Sequence, residues 1–235
     1  KIENHRIIRG YINAKSQPAI ILRISYHRDE AKALLGKLRI LSTLIPKVND
    51  FSSLKNSNLQ VKIIIEFSQL LYNYYSNHDY PVETLPTIYP LKSNKDSVFF
   101  NCILYSYTPH GFLALGNWLS KVLQKERIEI AEEFLRTSKE VINDIDKRNN
   151  LSRMNRAFLG AGIKFKMPVK RLPGSLGAFL QFGWGKHGFQ LNGTNLETTS
   201  LNSSRLATNK NFTSQLIKRA GFPFPNESAV IDEES

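Results

Sequence analysis

The chain has 235 residues with 41% hydrophobic and 11% aromatic content, enough to bury one large core or two small ones. No apolar run approaches the ~20 residues that span a bilayer and no signal-peptide pattern opens the chain, so a cytoplasmic protein with no membrane partner is expected. The single cysteine, Cys102, excludes an intramolecular disulfide, and a formal charge of +12 draws polyanions toward the surface.

Ala19–Tyr26 is a short β-branched run suited to a buried strand. Asp29 and Glu30 open a helical pattern, with Ala33, Leu34, Leu38, Leu41 and Leu44 at three- and four-residue spacing and Pro46 as its stop. A polar loop over Asn49–Asn58 precedes a second helix, about Leu59–Tyr75, carrying Val61, Ile64, Ile65, Phe67, Leu70 and Leu71. Residues 76–95 hold three prolines and read as an irregular connection. Ser97–Tyr107 is the strongest strand candidate, with Cys102 as a small core residue inside it. Pro109-His110-Gly111 leads into a helix to about Gln124. A charged helix over about Glu126–Asp146 then turns Ile128, Ile130, Ala131, Phe134, Leu135, Val141 and Ile145 inward. This alternation predicts an α/β fold, with α+β possible.

After Asn150 the texture changes. Nine basic residues lie between Lys147 and Lys186, and no Asp or Glu occurs between Asp146 and Glu197. Such a stretch is a solvated face, or else meets nucleic acid, nucleotide phosphate or an acidic polymer. No helix-turn-helix, zinc-ligand spacing or aromatic RNA-binding motif accompanies it, which argues against nucleic acid. Ala161–Met167 reads as a strand with outward lysines, bounded by Pro168 and by Leu172-Pro173-Gly174, and Leu176–Phe182 as a second apolar run. A boundary near residue 174 divides an N-terminal domain, 1–174, from a second segment, 175–235.

In that segment Gly183-Trp184-Gly185 reads as a turn, and His187 as an exposed or packing histidine rather than a catalytic base. Thr208 or Asn209 caps a helix with a Phe212, Leu216, Ile217 and Ala220 stripe, closed by Gly221 and stopped by Pro223 and Pro225. Lys210 sits in its first turn, where the macrodipole disfavours a cation unless an anion is near.

In order, Phe182-Gly-Trp-Gly185, Thr199-Ser200, Asn209-Lys210-x-x-Thr213-Ser214 and Ala220-Gly-Phe-Pro-Phe-Pro225 resemble the cyanophycin synthetase-like ATP-grasp ligases. That family runs Leu-Gly-Tyr-Gly, Thr-Ser, Asp-Lys-x-x-Thr-Lys and Ala-Gly-Val-Pro-Val-Pro. The match covers about residues 176–225, and Asn209 and Ser214 depart from it by replacing an Asp and a second Lys. More loosely, Arg9-Gly10 before a strand and the strand leading to His110 resemble the family's N-terminal domain.

The resemblance implies an N-terminal mixed sheet-and-helix domain followed by the first elements of an ATP-grasp domain. It implies an enzyme that uses ATP and Mg²⁺ to activate a carboxylate as an acyl phosphate, which an amine of an amino acid or acidic peptide attacks. Lys210 would then approach the nucleotide phosphates. Ser200, with Thr199 and His187, would lie at the substrate end. The family's remaining lysines and metal ligands lie downstream of the helix ending at Gly221, and the acidic Asp232, Glu233 and Glu234 do not replace them. The chain, which starts at Lys1, is therefore expected to be a piece of a longer protein, inactive alone, whose relatives commonly form homo-oligomers. The alternatives are a basic nucleic-acid- or polyanion-binding protein and a non-catalytic homologue.

Overall fold

Along Ala19–His27, Ile20, Leu22, Ile24 and Tyr26 point to one side and the exposed Arg23 to the other, which is the period-two pattern of a strand with one buried face. A computed structural model of the protein describes residues 1–8, 18–48, 51, 54, 58–82, 85–149, 151–172 and 179–223. Arg9-Gly10, the expected boundary at 174, Pro225 and the terminal acidic run lie outside the described residues. In chain order the elements are β1 (Ile2–Ile8), β2 (Ala19–His27), α1 (Ala31–Leu44), α2 (Leu59–Asn77), β3 (Thr87–Pro90), β4 (Ser97–Tyr105), α3 (Pro109–Val122), α4 (Ile130–Asn149) and α5 (Arg153–Lys164). They continue with β5 (Val169–Arg171), β6 (Phe179–Phe182), β7 (Phe189–Asn192), β8 (Asn195–Leu196), α6 (Leu201–Thr208) and α7 (Lys210–Arg219).

Two four-stranded sheets have the orders β1-β2-β4-β3 and β5-β6-β7-β8. The expected mixture of strands and helices is present, in its α+β form, because every strand pair is antiparallel. In the first sheet Ala19 lies opposite Tyr105 and His27 opposite Ser97. That register puts Ile20, Leu22, Ile24 and Tyr26 on one face with Leu104, Cys102, Phe100 and Val98. Against this face pack Leu38 and Leu41 of α1, Ile63 and Leu71 of α2, and Phe112 and Leu119 of α3. Each such side chain contributes about 1.5–3 kcal/mol on burial. Cys102 is fully buried there, its Sγ 3.2 Å from Ser68 Oγ.

Local chemistry fixes the helix ends. Asn58 caps α2 by accepting from the Gln60 amide at 2.8 Å. Lys37 of α1 donates to the carbonyls of Leu123 (3.0 Å) and Lys125 (2.5 Å), closing the end of α3. Trp118 of α3 donates to Thr137 Oγ1 of α4 at 2.7 Å and its ring meets Tyr74 and Phe134.

Two expectations are corrected. The charged helix begins at Ile130, not Glu126, and of the residues assigned to its inner face Ile128 is 94% and Leu135 60% exposed. Ile130, Phe134, Val141 and Ile145 complete a stripe at multiples of three and four, and Leu135 falls one step off it. Ala161–Met167 is not a strand: Ala161–Lys164 is the last turn of α5. Met167 N–H bonds Gly162 O at 2.9 Å and Lys166 N–H bonds Ile163 O at 3.0 Å, a Schellman closure with Lys166 left-handed at φ 54°. The lysines that read as an alternating outer face are the solvent side of a helix end. The strand follows it, at β5.

Leu159 of α5 packs with Val169, Leu180, Phe182 and Leu191 of the second sheet, and Tyr107 and Leu151 join this smaller core. Among the described residues no helix is long and apolar enough to cross a membrane.

Candidate nucleotide and substrate site

The strands β6 and β7 form a hairpin in which Phe182 faces Phe189, the rings stacked at 5.3 Å. Glycine is required in its loop. Gly183 and Gly185 have φ of 74° and 57°, and a Cβ on Gly183 would stand 2.9 Å from the His187 carbonyl oxygen. The loop thus presents Trp184 at 45% exposure and carries His187 in a following 3₁₀ turn, exposed.

Thr199 and Ser200 stand at the entrance of α6. The Thr199 amide donates to Leu196 O at 2.9 Å. Ser200 is the N-cap: its Oγ accepts from Ser203 N–H at 3.0 Å and donates to Ser203 Oγ at 2.8 Å. The hydroxyl is engaged in capping and is exposed at the helix start.

Asn209 caps α7, its Oδ1 accepting from Phe212 N–H at 3.0 Å. Capping needs only this oxygen, so Asn performs it without the charge an Asp would bring beside Lys210. Lys210 is the first residue of α7 and exposed, and its ammonium has no hydrogen bond or ion pair among the described residues. Ser214 is the buried residue of α7 and donates to Lys210 O at 2.6 Å. A lysine there would have to carry its ammonium out of this contact, which gives the departure at 214 a packing reason. Thr213 Oγ1 donates to the Leu206 carbonyl, tying α7 to α6. Gly221, at φ 78°, closes α7 with the Phe222 amide on Ile217 O. The expected apolar stripe is not packed: Phe212 and Leu216 are 48% and 41% exposed, while Thr213 bonds α6 and Ser214 is the buried residue of α7.

The structure therefore brings Ser200 and Lys210 to the starts of two adjoining helices, α6 and α7. No hydrogen bond or ion pair joins His187, Thr199, Ser200 and Lys210 among the described residues. An unpaired ammonium beside the open amides of a helix start fits a phosphate group. Magnesium is different: among the described residues no group of three or more His, Cys, Asp or Glu side chains could hold a metal.

One polar cluster has no counterpart in the sequence reading. Arg156 of α5 donates through Nη1 to Asp146 Oδ1 at 3.0 Å and to the His78 carbonyl at 3.3 Å, and lies 4.6 Å from the Tyr80 ring centroid. Tyr80 Oη donates to the same Asp146 oxygen. Burial holds the nearby His78 below the usual histidine range, against the opposing pull of Asp146 and Asp79. The members of this cluster come from α4, α5 and the turn after α2, so no local sequence pattern signals it. No protein-family model matches the chain, and no curated protein matches it.

Proposed function

We propose that the chain is the N-terminal portion of an ATP-dependent carboxylate–amine ligase that forms amide bonds through an acyl-phosphate intermediate, and that this portion is inactive alone. The observation that supports this reading is where the ordered motif falls. Gly183-Trp-Gly185 is an exposed loop, Thr199-Ser200 a helix start, and Asn209-Lys210 a second helix start. All three lie at the surface, where a ligand can reach them, in addition to the turn and capping roles described above.

In this reading the Lys210 ammonium neutralises phosphate charge at the start of α7, and the Ser200 and Thr199 hydroxyls orient the acceptor carboxylate with His187 at the loop. ATP supplies the phosphoryl group. No magnesium-dependent step is assigned to the described residues; its ligands belong to the expected downstream part of the ATP-grasp domain. The substrate class is an amino acid or acidic peptide, and homo-oligomers are expected.

The test begins by reading the gene beyond the codon for Ser235. The extended protein should release ADP only when an amino-acid or acidic-peptide acceptor is present, and Lys210→Ala should raise its KM for ATP about tenfold, the loss of one charge-assisted contact. The 235-residue chain should show no turnover. A stop codon directly after Ser235, or ATP turnover by the isolated chain, overturns the proposal.

A further inference from the structure

A cavity of about 500 Å³ opens between the end of α2, the turn after it and α5. Arg156 borders it, and only its Nη1 is engaged, by Asp146 and the His78 carbonyl. Nη2 and Nε have no acceptor among the described residues, and Nε is buried. The Arg156 side chain is 13% exposed, so its guanidinium is largely desolvated, clamped over Tyr80, and only partly satisfied. Such a group gains more from an incoming carboxylate than a mobile surface arginine would, because the ordering and desolvation costs are already met.

The cavity rim adds charge of both signs. Arg153, three residues before Arg156 on α5, is paired with Asp79 at 3.6 Å, and both are well exposed. Asp79 is held in place as the left-handed closing residue of α2: its φ is 61°, its amide bonds Ser76 O at 3.1 Å, and the Tyr80 amide bonds Tyr75 O at 3.2 Å. The first turn of α5 carries no acid. Pro81, Val82 and Ile163 supply apolar wall, and Gly160 leaves the space open: a Cβ there would meet only Pro81 Cβ, at 3.9 Å.

A largely desolvated arginine, a second arginine beside an anchored carboxylate and an aliphatic wall complement one ligand class. We propose that this cavity binds a free aliphatic α-amino acid. Its carboxylate takes the donors of Arg156 and Arg153, its ammonium takes Asp79, and its side chain lies on Pro81 and Ile163. Asp79 and Asp146 disfavour a phosphate dianion here. This site is separate from Ser200 and Lys210 and does not rest on the ligase reading.

The test is a titration of the ¹⁵N-labelled chain with L-leucine, N-acetyl-L-leucine, L-leucinamide and inorganic phosphate, each to ~20 mM, the range of affinity that two charge-assisted bonds provide. L-Leucine should give saturable amide shifts at Asp79, Tyr80 and Val82 and over Arg153–Gly160. Both capped forms and phosphate should bind at least about tenfold more weakly, having lost one charged contact each or gained a repulsive one. Gly160→Leu, a change favoured by helix propensity that fills the cavity, should abolish the leucine shifts with Tm kept or raised. Arg153→Gln, on the surface, should weaken them several-fold. The proposal is overturned if L-leucine gives no saturable shift, if either capped form or phosphate binds as tightly, or if a folded Gly160→Leu chain binds like the parent.

Discussion

Gly162 of α5 and Val169 of β5 sit so close that a Cβ on the glycine would stand 2.3 Å from Val169 Cγ2, with Phe182 Cε1 at 3.1 Å. The helix and the second sheet meet at this point, and no methyl group fits between them. Gly162→Ala should therefore destabilise the chain by about 1–3 kcal/mol, the range for overpacking a tight contact. Gly36 in α1 is the control, since nothing lies within 4 Å of its Cβ position. Gly36→Ala should stabilise by up to about 1 kcal/mol through helix propensity. Urea denaturation of both variants checks the opposite signs.

Lys166 closes α5 at φ 54°, the role that Gly221 plays for α7 at φ 78°. A non-glycine residue there costs about 1–2 kcal/mol. Lys166→Gly should recover part of that, about 0.5–1 kcal/mol, the remainder being offset by the greater freedom of glycine in the unfolded chain. A rise in Tm measures it. A fall would mean that the Lys166 side chain holds the turn by other means.

Tyr75 is fully buried, stacked on Tyr80 at 4.5 Å and on Phe112 at 4.3 Å. Its hydroxyl meets the Thr108 carbonyl at 2.9 Å and Thr108 Oγ1 at 2.5 Å, just before Pro109 starts α3. Tyr75→Phe keeps the stack and removes these bonds, while the Thr108 carbonyl keeps the Gly111 amide at 3.0 Å and Oγ1 keeps Ser106 Oγ at 3.2 Å, so the change should cost about 0.5–1.5 kcal/mol. Thr108→Val together with Tyr75→Phe should cost less than the two single changes added. Chemical denaturation of the four proteins gives the coupling directly.

Burial pushes the Cys102 thiol from about 9 up to about 12, with only a partial offset from its bond to Ser68. The folded thiol is neutral where the unfolded thiol has begun to ionise. Its contribution to stability is therefore complete below pH 9 and is lost as pH climbs toward 12. Tyr26, raised by burial from 10 to about 12, adds to the loss at the upper end of that window. Unfolding midpoints measured from pH ~8 to ~10.5 should fall steadily. At neutral pH a thiol reagent should label Cys102 only through opening of the fold, so the labelling rate should rise with added urea.

Much of the front of the molecule was legible because its signals are redundant. The β2 run alternates cleanly, Asn58 stands where a cap belongs, and Pro46 and Pro109 punctuate helices in the expected places. Legibility failed where two periods fit the same residues. Around Ala161–Met167, lysines at alternate positions mimic a strand, whereas the chain is the end of a helix that Ser152 caps and a Schellman turn at Lys166 closes. Leu135 was placed inside because one residue of phase separates it from Phe134, and hydrophobicity alone does not resolve 100°. At the candidate site, the α7 cap was legible from residue type as Thr208 or Asn209 and is Asn209, whereas α6 and the capping role of Ser200 were not. Nor were the burial of Ser214 and the exposure of Phe212, because both depend on how α7 leans on α6. The Arg156 cluster joins residues from three separate elements, and no window of sequence contains it.

The register that sets Ala19 opposite Tyr105 also orders events during synthesis. Without β4, β2 pairs only with β1, and α1 and α2 lack much of the sheet face that they cover. Nascent chains halted before Ser97 would display Ile20, Leu22 and Ile24 on an open strand edge, a strong target for chaperones and for self-association. Chains released after the end of α3 at Val122 should lose that stickiness abruptly, because one strand pairing supplies the missing edge and the buried face together.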